Sequence, residues 1–404
     1  MFKAYKYRLS PTKEQEAHIE KHFGCCRLVW NLALTAKQYA YSAHRINLSR
    51  YDLQKQLLDL KKEYDWLYDI NAQSMQNVLL NLDRAYKSFF KKGGFPKYKS
   101  KNSRQSFQCP QAVHVNLENN LIQIPKIGWT KAVISRHFVG EIKTCTVSKT
   151  PTGKYFISIL VDNNEVLPTK STITPEKIIG IDVGISNFVV TSDGRFFEPN
   201  RRLKESFKRL KALQKRTSRK VKGSKNSKKS KLRVALLYER ISNQRNDYIH
   251  KVTNALVNDS QVESIVIEDL NVVGMLKNRN LAQAISDISI GTLFTTLQYK
   301  CDWYGKTLIK IGRFDPSSKR CSCCGAINKE LALSDRTWTC PECGTKHDRD
   351  ANAAANIEYY GLQQTIFKNK TPEGIREEPV ELSALAGAKK QENVYNVIAE
   401  QPNQ

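Results

Sequence analysis

The stretch Cys340–Ile357, CPECGTKHDRDANAAANI, carries ligands for two different kinds of metal ion. Cys340 and Cys343 offer the soft thiolates that zinc prefers, whereas Asp350, seven residues after the second cysteine, offers the hard oxygens that magnesium prefers. Whether these ligands form one metal site or two depends on which other segments of the chain supply matching side chains.

A second cysteine pair precedes this stretch and completes the spacing of a zinc ribbon, Cys321-x2-Cys324-x15-Cys340-x2-Cys343. Each CxxC turn brings two thiolates to one side of a metal ion, and four thiolates fill the tetrahedral shell of Zn²⁺. No position then remains for a substrate, so the spacing predicts a structural zinc ion. Cys323 is a spare thiol that leaves open which cysteines of the first pair bind.

The filled zinc shell leaves Asp350 for a second site, together with acids that end two apolar strands. Asp182 follows the strand in IGIDVGIS, and Glu268 and Asp269 follow the strand in SIVIEDLN. Successive side chains of a strand point to opposite faces, so only one of Glu268 and Asp269 can face the same side as Asp182. Acids in such positions are costly unless they are solvated, paired or metal-bound.

Asp350 opens a small-residue helix, ANAAANI, that could lie flat on a sheet. Three carboxylates from two strands and this helix could hold two Mg²⁺ ions about 4 Å apart, an arrangement suited to in-line phosphodiester hydrolysis. In a simpler interpretation, Asp348 and Asp350 cap the helix, and Glu268 and Asp269 form a solvated strand exit. The spacing alone leaves both interpretations open.

The composition of the 404-residue chain favours a polyanionic partner. Its 65 basic and 39 acidic residues give a net charge of +26, and residues 1–370 alone carry +29. A protein tolerates such self-repulsion most easily when it binds nucleic acid. A membrane partner is disfavoured because the sequence has no lipidation motif, amphipathic anchor or apolar run of bilayer length.

Targeting signals and cysteine usage predict a cytoplasmic protein. The N-terminal MFKAYKYRLSP lacks the apolar segment of a signal peptide. Four of the ten cysteines have metal-ligand spacing and the others are scattered, which indicates a reducing compartment rather than a disulfide framework.

Hydrophobic periodicity predicts helices in the first part of the chain and hairpins in the next. Helical patterning extends with breaks to about Phe90, and its clearest piece, MQNVLLNLDRAYKSFF, begins at Met75. Val113–Asp162 instead has the alternation of two β-hairpins, with turns about residues 118–120 and 151–153, and such short paired strands suggest a small barrel.

A new unit begins near residue 176, where a buried strand ending in Asp182 is followed by a predicted hairpin. Residues 201–233 hold 16 basic residues and one acid, and KGSKNSKKS, residues 222–230, is predicted to be a flexible turn between two helices. The last segment, 371–404, has few aromatic residues and no periodicity, which predicts disorder.

Several motifs, in their order along the chain, resemble those of the TnpB proteins: YRLSPTKEQ with CRLVWN, IGIDVGISNF, IVIEDLNV, FDPSSKRCSCCG and RTWTCPECGTKHDRDANAAANI. TnpB proteins are transposon-encoded, RNA-guided DNA nucleases related to the type V CRISPR effectors. The resemblance covers about residues 1–360, and a zinc ribbon placed just before DRDxNAA is the hallmark of this family.

The resemblance implies a multidomain α+β protein with a helical recognition domain, a β-barrel wedge domain and a RuvC-like nuclease domain of RNase H fold, an α/β fold. A zinc ribbon that binds target nucleic acid would be inserted in the nuclease domain. The implied ranges are 1–10 and 99–170 for the wedge domain, 11–98 for the recognition domain, 172–319 and 347–370 for the nuclease domain, 320–346 for the ribbon, and 371–404 for a disordered tail.

The resemblance also implies an Mg²⁺-dependent endodeoxyribonuclease with catalytic residues Asp182, Glu268 and Asp350, which would hold two Mg²⁺ ions. The presence of all three acids distinguishes the chain from nuclease-dead, repressor-like relatives. The structural Zn²⁺ would be bound by Cys321, Cys324, Cys340 and Cys343.

The implied partners are a guide RNA from the transposon end and a double-stranded DNA target, with the protein a monomer on its RNA. The guide would read the target by base pairing, while the protein would read a short adjacent duplex motif. Clustered cations would neutralise phosphates. The candidate nucleic-acid-binding residues are Gln73, Gln76, Asn77 and Gln108 for the motif and Lys208, Arg209, Lys215, Arg216, Arg219 and Lys220 for the phosphates.

Two details bear on these nucleic-acid residues. Gln76 is a residue type suited to a base edge, with a solvated helix face as its alternative role. Ala72, Gln73, Gln108 and Cys109 depart from better-known TnpB sequences, which predicts a different adjacent motif. Residues 201–233 could instead form a helix pair that is only solvated and binds no nucleic acid. Their 16 basic residues against one acid argue against this alternative.

Two other functions are compatible with the same motifs. One is a guide-directed DNA-binding repressor or accessory transposition factor that uses the fold without cleavage. The other is DNA binding by the zinc ribbon without a guide. The intact set of acids favours the nuclease.

Overall fold

The computed structural model describes residues 1–370 except 92, 171–172, 278–281, 283–285, 287 and 333. The chain divides into two compact units, the first being Met1–Val166 and the second beginning at Leu167. The predicted disordered tail, 371–404, lies outside the described residues. In the described part of the chain, none of the helices has the length and apolar character needed to cross a membrane.

The first unit has three α-helices and a short 3₁₀ turn: α1 (Lys13–His44), α2 (Arg50–Glu63), the turn Asp65–Asp69, and α3 (Ala72–Phe90). A capping box begins α1, in which the Thr12 side chain accepts from the Gln15 backbone and Gln15 bonds back to Thr12. Helix α3 buries Met75, Val78 and Leu79, the apolar face that the sequence predicts.

Seven strands of the first unit form one antiparallel sheet in the order β2-β6-β7-β1-β5-β4-β3. Both predicted hairpins are present: β3 pairs with β4 through a turn with Asn120 at a positive φ, and β6 pairs with β7 through a turn containing Gly153. The strands are β1 (Phe2–Ser10), β2 (Gln105–Cys109), β3 (His114–Asn116), β4 (Leu121–Ile124), β5 (Gly128–Val133), β6 (Glu141–Lys149) and β7 (Tyr155–Asp162).

The second unit is built on a five-stranded sheet in the order β10-β9-β8-β11-β12, in which β8, β11 and β12 are parallel and β9 and β10 are antiparallel. The strands are β8 (Ile178–Asp182), β9 (Val189–Thr191), β10 (Phe196–Phe197), β11 (Ser264–Glu268) and β12 (Thr307–Ile311). In the described part of this unit, a 3₁₀ turn, Pro175–Lys177, precedes β8, and the further helices and strands are α4 (Arg201–Ser218), α5 (Lys225–Val257), α6 (Val272–Met275), α7 (Ile290–Trp303), β13 (Thr337–Thr339), β14 (Lys346–Asp348) and α8 (Arg349–Lys370).

Helices cover both faces of this sheet because the side chains of its strands alternate between them. On one face, Ile181 and Ile267 share a core with residues of α5 and α7, such as Leu293. On the other face, Val266 packs in a core with Ile357 of α8. The second unit is thus a three-layer α/β structure.

Small residues allow α8 to lie very close to the sheet. A side chain at Gly180 would come within 2.1 Å of the backbone oxygen of Ala354, and one at Gly361 within 2.5 Å of Val266 Cγ2. The helix therefore crosses β8 near its Ala354 turn and β11 near Gly361. This crossing fixes the N-terminal turn of α8 at the carboxyl end of β8.

The prediction of a flexible turn over residues 222–230 is wrong for most of that segment. Helix α5 begins at Lys225, and the Ser224 side chain caps it by accepting from the Ser227 backbone. Ser230 is buried, and its hydroxyl lies 2.6 Å from that of Thr217 on α4. Because these serines cap and pack, the segment is helical in spite of its polar composition.

Candidate functional site

The two acidic strand ends lie next to each other because β8 and β11 pair in parallel register. Ile181 is the partner of Ile267, so Asp182 and Glu268 follow at the same edge of the sheet. Glu268 accepts a short hydrogen bond from the Ser317 hydroxyl. Asp269, in contrast, is half-buried, and its carboxylate turns to Arg313, with which it forms an ion pair at 2.7 Å. The structure therefore directs Glu268, and not Asp269, into the protein beside Asp182.

Asp350 comes to this edge from the first turn of α8. It is 9% exposed, and its Oδ2 accepts from Asn187 Nδ2 at 2.9 Å, while Arg336 Nη1 lies 3.9 Å from Oδ1. The capping role that the sequence left open for both aspartates belongs to Asp348, whose Oδ1 accepts from the Ala351 backbone N–H at 3.0 Å.

Negative charge accumulates where these acids meet. Burial raises the pKa of the Asp182 carboxyl to about 8, and the nearby Glu268 and Asp350 carboxylates add to the rise. Burial also raises the pKa of Glu268, against the lowering effect of the Ser317 hydrogen bond. A partly buried cluster of hard oxygen ligands with an excess of negative charge is a chemical match for divalent cations such as Mg²⁺.

The four cysteines predicted to bind zinc form a much tighter group. Among the described residues, they are the one set of three or more cysteine, histidine and acidic side chains gathered closely enough to hold a metal ion, with all ligand atoms within 4.8 Å: Cys321, Cys324, Cys340 and Cys343. Cys321 and Cys343 sulfurs are 3.7 Å apart, and Cys324 and Cys340 sulfurs 3.6 Å apart. Tetrahedral Zn–S bonds of about 2.3 Å require sulfurs roughly 3.8 Å apart, so the group fits Zn²⁺.

Cys323, whose part in the metal site the sequence left open, is exposed and does not belong to this group. All ten cysteines are free thiols. His347 Nε2 lies 3.0 Å from Cys321 Sγ, and its ring packs against Trp338 of the paired strand β13. The cysteine group is therefore attached to β14, the strand that leads directly into α8 and Asp350.

The residues predicted to read the adjacent motif lie on α3 and β2 of the first unit. Asn81 Nδ2 donates to Asn77 Oδ1 and to Gln108 Oε1, both at 3.0 Å. Gln73 Nε2 donates to Gln111 Oε1 at 2.7 Å, and Gln76 is exposed. These amides form a polar surface between a helix and a strand edge.

The predicted phosphate-binding residues lie on α4 and in the turn after it. Helix α4 packs on α5 through its less polar side, where Ser206 Oγ donates to Gln244 Oε1 at 3.1 Å and Gln214 Nε2 to Tyr238 OH at 2.6 Å. The cations project into solvent on the other side, and all six are exposed: Lys208, Arg209, Lys215, Arg216, Arg219 and Lys220.

Sequence reasoning missed the polar residues that contact the acids and the ribbon. Asn187 and Ser317 hydrogen-bond to Asp350 and Glu268 from loops, and both lie within the motifs IGIDVGISNF and FDPSSKRCSCCG, whose resemblance to the family was the signal that could have found them. Asn352 and Asn356 could have been found, because asparagines four residues apart on a small-residue helix share one face.

The fold and the site together define a protein of the α/β class in which a four-cysteine ribbon directly precedes an acid-bearing helix. Three family models match the chain: a probable transposase over residues 158–279, a Cas12f1-like TNB domain over 291–357, and a helix-turn-helix domain over 1–45.

Curated relatives match along most of their length. One from Streptomyces pristinaespiralis, provisionally named an RNA-guided DNA endonuclease, is 37% identical over 370 residues, which cover 89% of each chain. InsQ of Escherichia coli K12, provisionally named in the same way, is 33% identical over 94% of this chain and 98% of its own. The chain therefore belongs to the TnpB family, whose members are named RNA-guided DNA endonucleases, and the resemblance is confirmed.

A solved structure of Cas12f1 with its guide RNA and target DNA also aligns with the chain. The identity is 15% over 89% of this chain and 99% of that chain, and the TM-score is 0.37. At this score the alignment supports no argument about the site.

Proposed function

We propose that the protein is an RNA-guided DNA endonuclease of a transposon that cleaves its target beside a short motif read by the protein. The observation that carries the proposal is the gathering of Asp182, Glu268 and Asp350 at one sheet edge, where burial and mutual repulsion raise the pKa of Asp182 to about 8. Family membership supports RNA guidance and DNA as the substrate.

The proposed catalytic residues are Asp182, Glu268 and Asp350 as ligands of Mg²⁺. Two such ions, when bound, would supply an activated water and stabilise the leaving oxygen of the scissile phosphodiester. The acids are less converged than the cysteine group, and two ions about 4 Å apart would need ligands spread more widely than one ion does.

The protein contributes the positions of these ligands. The parallel register of β8 and β11 sets Asp182 beside Glu268, and the close crossing of α8 over Gly180 brings Asp350 to them. Ser317 and Asn187 orient two of the three carboxylates through their hydrogen bonds. The second unit corresponds in this proposal to a RuvC-like nuclease domain, with the cysteine ribbon as its Zn²⁺-stabilised insertion.

The exposed cations of α4 are the proposed contact for the guide RNA and its duplex with target DNA. Their phosphate contacts make binding depend steeply on salt. The amide surface of α3 and β2 is the proposed reader of the adjacent motif, with Gln76 and Gln108 reaching base edges. The first unit corresponds to the recognition and wedge domains, its seven-stranded sheet being the proposed barrel, and the functional particle is one protein with one RNA.

Purification from its native host tests the guidance directly. The RNA that accompanies the protein is sequenced, and its guide segment is replaced by one that matches a chosen plasmid carrying randomised flanking bases. The proposal is supported if the protein cleaves the matching plasmid and no other, and if Asp182→Ala abolishes this cleavage. Cleavage that Asp182→Ala leaves intact contradicts the mechanism.

The same preparation separates the two alternatives. A guide-directed repressor or transposition factor would occupy the matching plasmid without strand breaks in Mg²⁺. DNA binding by the ribbon without a guide would persist after treatment with ribonuclease.

A further inference from the structure

Two asparagines of α8, one turn apart, are buried, and both the oxygen and the nitrogen of each side-chain amide form hydrogen bonds. Asn352 is 3% exposed and Asn356 is 0% exposed. Asn352 Oδ1 accepts from the Ser322 backbone N–H at 2.9 Å, and its Nδ2 donates to Arg320 O at 2.8 Å. Asn356 Nδ2 donates to Arg320 O at 2.6 Å and to Ser317 O at 2.8 Å. Both amides thus bind the segment between β12 and the cysteine ribbon.

Arg320 reinforces this attachment from the segment itself. Its Nη1 donates to Asn356 Oδ1 at 2.7 Å, and its guanidinium lies over the Tyr359 ring at 3.9 Å. Planar stacking and a charge-assisted hydrogen bond both fix the orientation of a guanidinium. Residues 317–322 are consequently held against one face of α8.

The two ends of this bound segment have different neighbours. Ser322 directly follows Cys321, so one end belongs to the first cysteine turn. At the other end, the Ser317 hydroxyl donates to the Glu268 carboxylate, and Ser317 is 5% exposed. Hydrogen bonds through Asn352 and Asn356, together with the covalent bonds of Cys321–Ser322 and of Ser317, therefore connect the cysteine group to an acid of the proposed active site.

The side-chain chemistry of these residues permits few other arrangements. A buried amide or hydroxyl that loses its partner costs about 1–3 kcal/mol, so the bonds hold the segment in one register along α8. A carboxylate that could rotate freely would bind divalent ions less well, because a hydrogen-bond partner behind a ligand commonly changes metal affinity or activity by roughly 10–100-fold.

We propose that Ser317, Asn352 and Asn356 are positioning residues through which the metal-loaded cysteine ribbon fixes the orientation of Glu268. The ribbon is then more than a separate nucleic-acid-binding element. Its folded state, transmitted through residues 317–322, sets the orientation of the Glu268 carboxylate. The inference rests on the proposed function only in taking Glu268 as a ligand of catalytic metal ions.

The first test compares Ser317→Ala with Ser317→Thr in the full chain loaded with guide RNA. We expect Ser317→Ala to slow single-turnover cleavage by about 10–100-fold and to raise the Mg²⁺ concentration needed for half-maximal rate, with unchanged zinc content and DNA binding. Threonine keeps the hydroxyl and should restore both quantities. The neighbouring Ser318→Ala is the matched control, since Ser318 takes no part in these hydrogen bonds. Equal rates and equal Mg²⁺ dependence in Ser317→Ala and the unmutated chain would overturn the proposal.

The second test asks whether the ribbon end communicates with the acid end. Mn²⁺ affinity is measured by calorimetry, with zinc retained, for Asn352→Asp, Ser317→Ala and the double variant. Asn352→Asp keeps the acceptor for Ser322 and replaces the donor to Arg320 with a repelling oxygen. If Asn352 acts on Glu268 through Ser317, the double variant should bind Mn²⁺ no more weakly than Ser317→Ala alone. If the losses of Mn²⁺ affinity in the two single variants instead add up in the double variant, the coupling is refuted.

These readouts separate the inference from the proposed function. If neither the unmutated chain nor any variant cuts guided DNA, the proposed function fails, yet the Mn²⁺ affinities still decide the coupling. If Asp182→Ala abolishes cutting while Ser317→Ala has no effect on rate, Mg²⁺ dependence or Mn²⁺ affinity, the positioning role alone fails. Should Asn352→Asp not fold, the two Ser317 variants and the Ser318→Ala control still decide whether Ser317 positions the Glu268 carboxylate.

Discussion

The cysteine group and the acid edge of the second unit both collect anionic ligands, but the chain builds them in opposite ways. The four cysteines come from two CxxC turns within 23 residues, and their sulfurs approach within 3.6 to 3.7 Å in pairs. The three acids come from segments more than 80 residues apart and meet only when β8, β11 and α8 have assembled. The cysteine site is therefore local in sequence, and the acid site is a product of the tertiary fold.

This difference predicts that the two sites respond oppositely to the loss of a ligand. The cysteine ribbon has a small core of its own, in which Leu331 and Trp338 pack beside the thiols, so we expect its folding to depend on a bound metal ion. The acid edge is carried by a large apolar core on one face of the sheet and a smaller one on the other, and neither contains a proposed metal ligand. Loss of an acid should therefore impair chemistry and spare the fold.

The largest expected effect is on cleavage by Asp182→Asn, which removes a proposed metal ligand while keeping the shape of the side chain. We expect the rate of guided DNA cleavage to fall by about 10³-fold or more, since groups that act together in catalysis lose most of their effect when one is removed. Asp269→Asn is the control, because the half-buried Asp269 is paired with Arg313. Single-turnover assays decide the matter, and equal losses in the two variants would contradict the assignment.

Removal of a zinc ligand should instead damage the structure. We expect Cys340→Ser to lose stoichiometric zinc and to lower the midpoint of thermal unfolding by roughly 5 °C or more, because structural zinc contributes directly to folding. Cys323→Ser should leave both quantities unchanged, since Cys323 is exposed and outside the group. Zinc analysis and calorimetry measure the two outcomes, and a normal zinc content in Cys340→Ser would show that the thiols do not form the site.

The acid edge has a third consequence, for stability in the absence of divalent ions. The folded pKa of Asp182 is raised from 3.8 to about 8, so the folded state holds this proton more tightly than the unfolded state does. The stabilisation is complete below about pH 4 and is lost as the pH rises through about 8. Asp182→Asn cannot ionise and should exceed the unmutated protein in stability at pH 8–9 by several kcal/mol, since each unit by which the pKa is raised is worth about 1.4 kcal/mol.

Thermal unfolding from pH 5 to pH 9, in buffer free of Mg²⁺ and with the zinc retained, measures this effect. Adding Mg²⁺ at pH 8 should stabilise the unmutated protein and have little effect on Asp182→Asn, because only the former keeps the full ligand set. Parallel stability curves for the two proteins across this pH range would show that Asp182 carries no charge penalty in the folded state.

The same contrast between local and tertiary structure explains what the sequence could predict. The CxxC spacing, the two hairpins of the first unit and the apolar strands that end in Asp182 and Glu268 all depend on neighbours along the chain, so each could be predicted. The hydrogen bonds of Ser317 and Asn187 could not, because they depend on how loops meet the finished sheet. The polar composition of residues 222–230 predicts a flexible turn and hides the helical start of α5. The Ser224 cap stabilises that start and outweighs the composition.

The smallest expected effect concerns the exposed cations of α4, because the free energy of guide RNA binding is divided among many weak phosphate contacts. Lys215→Gln with Arg216→Gln removes two of them, and we expect guide RNA binding to weaken by only several-fold near physiological salt. The slope of log affinity against log salt concentration should fall in magnitude by about 1–2. Each phosphate contact that is removed lowers by about one the number of counterions released on binding. Lys251→Gln is the matched control, because Lys251 is an exposed cation that pairs with Asp247 on α5. An unchanged slope would mean that this face of α4 is only solvated, and the binding surface for the guide would then have to lie elsewhere on the protein.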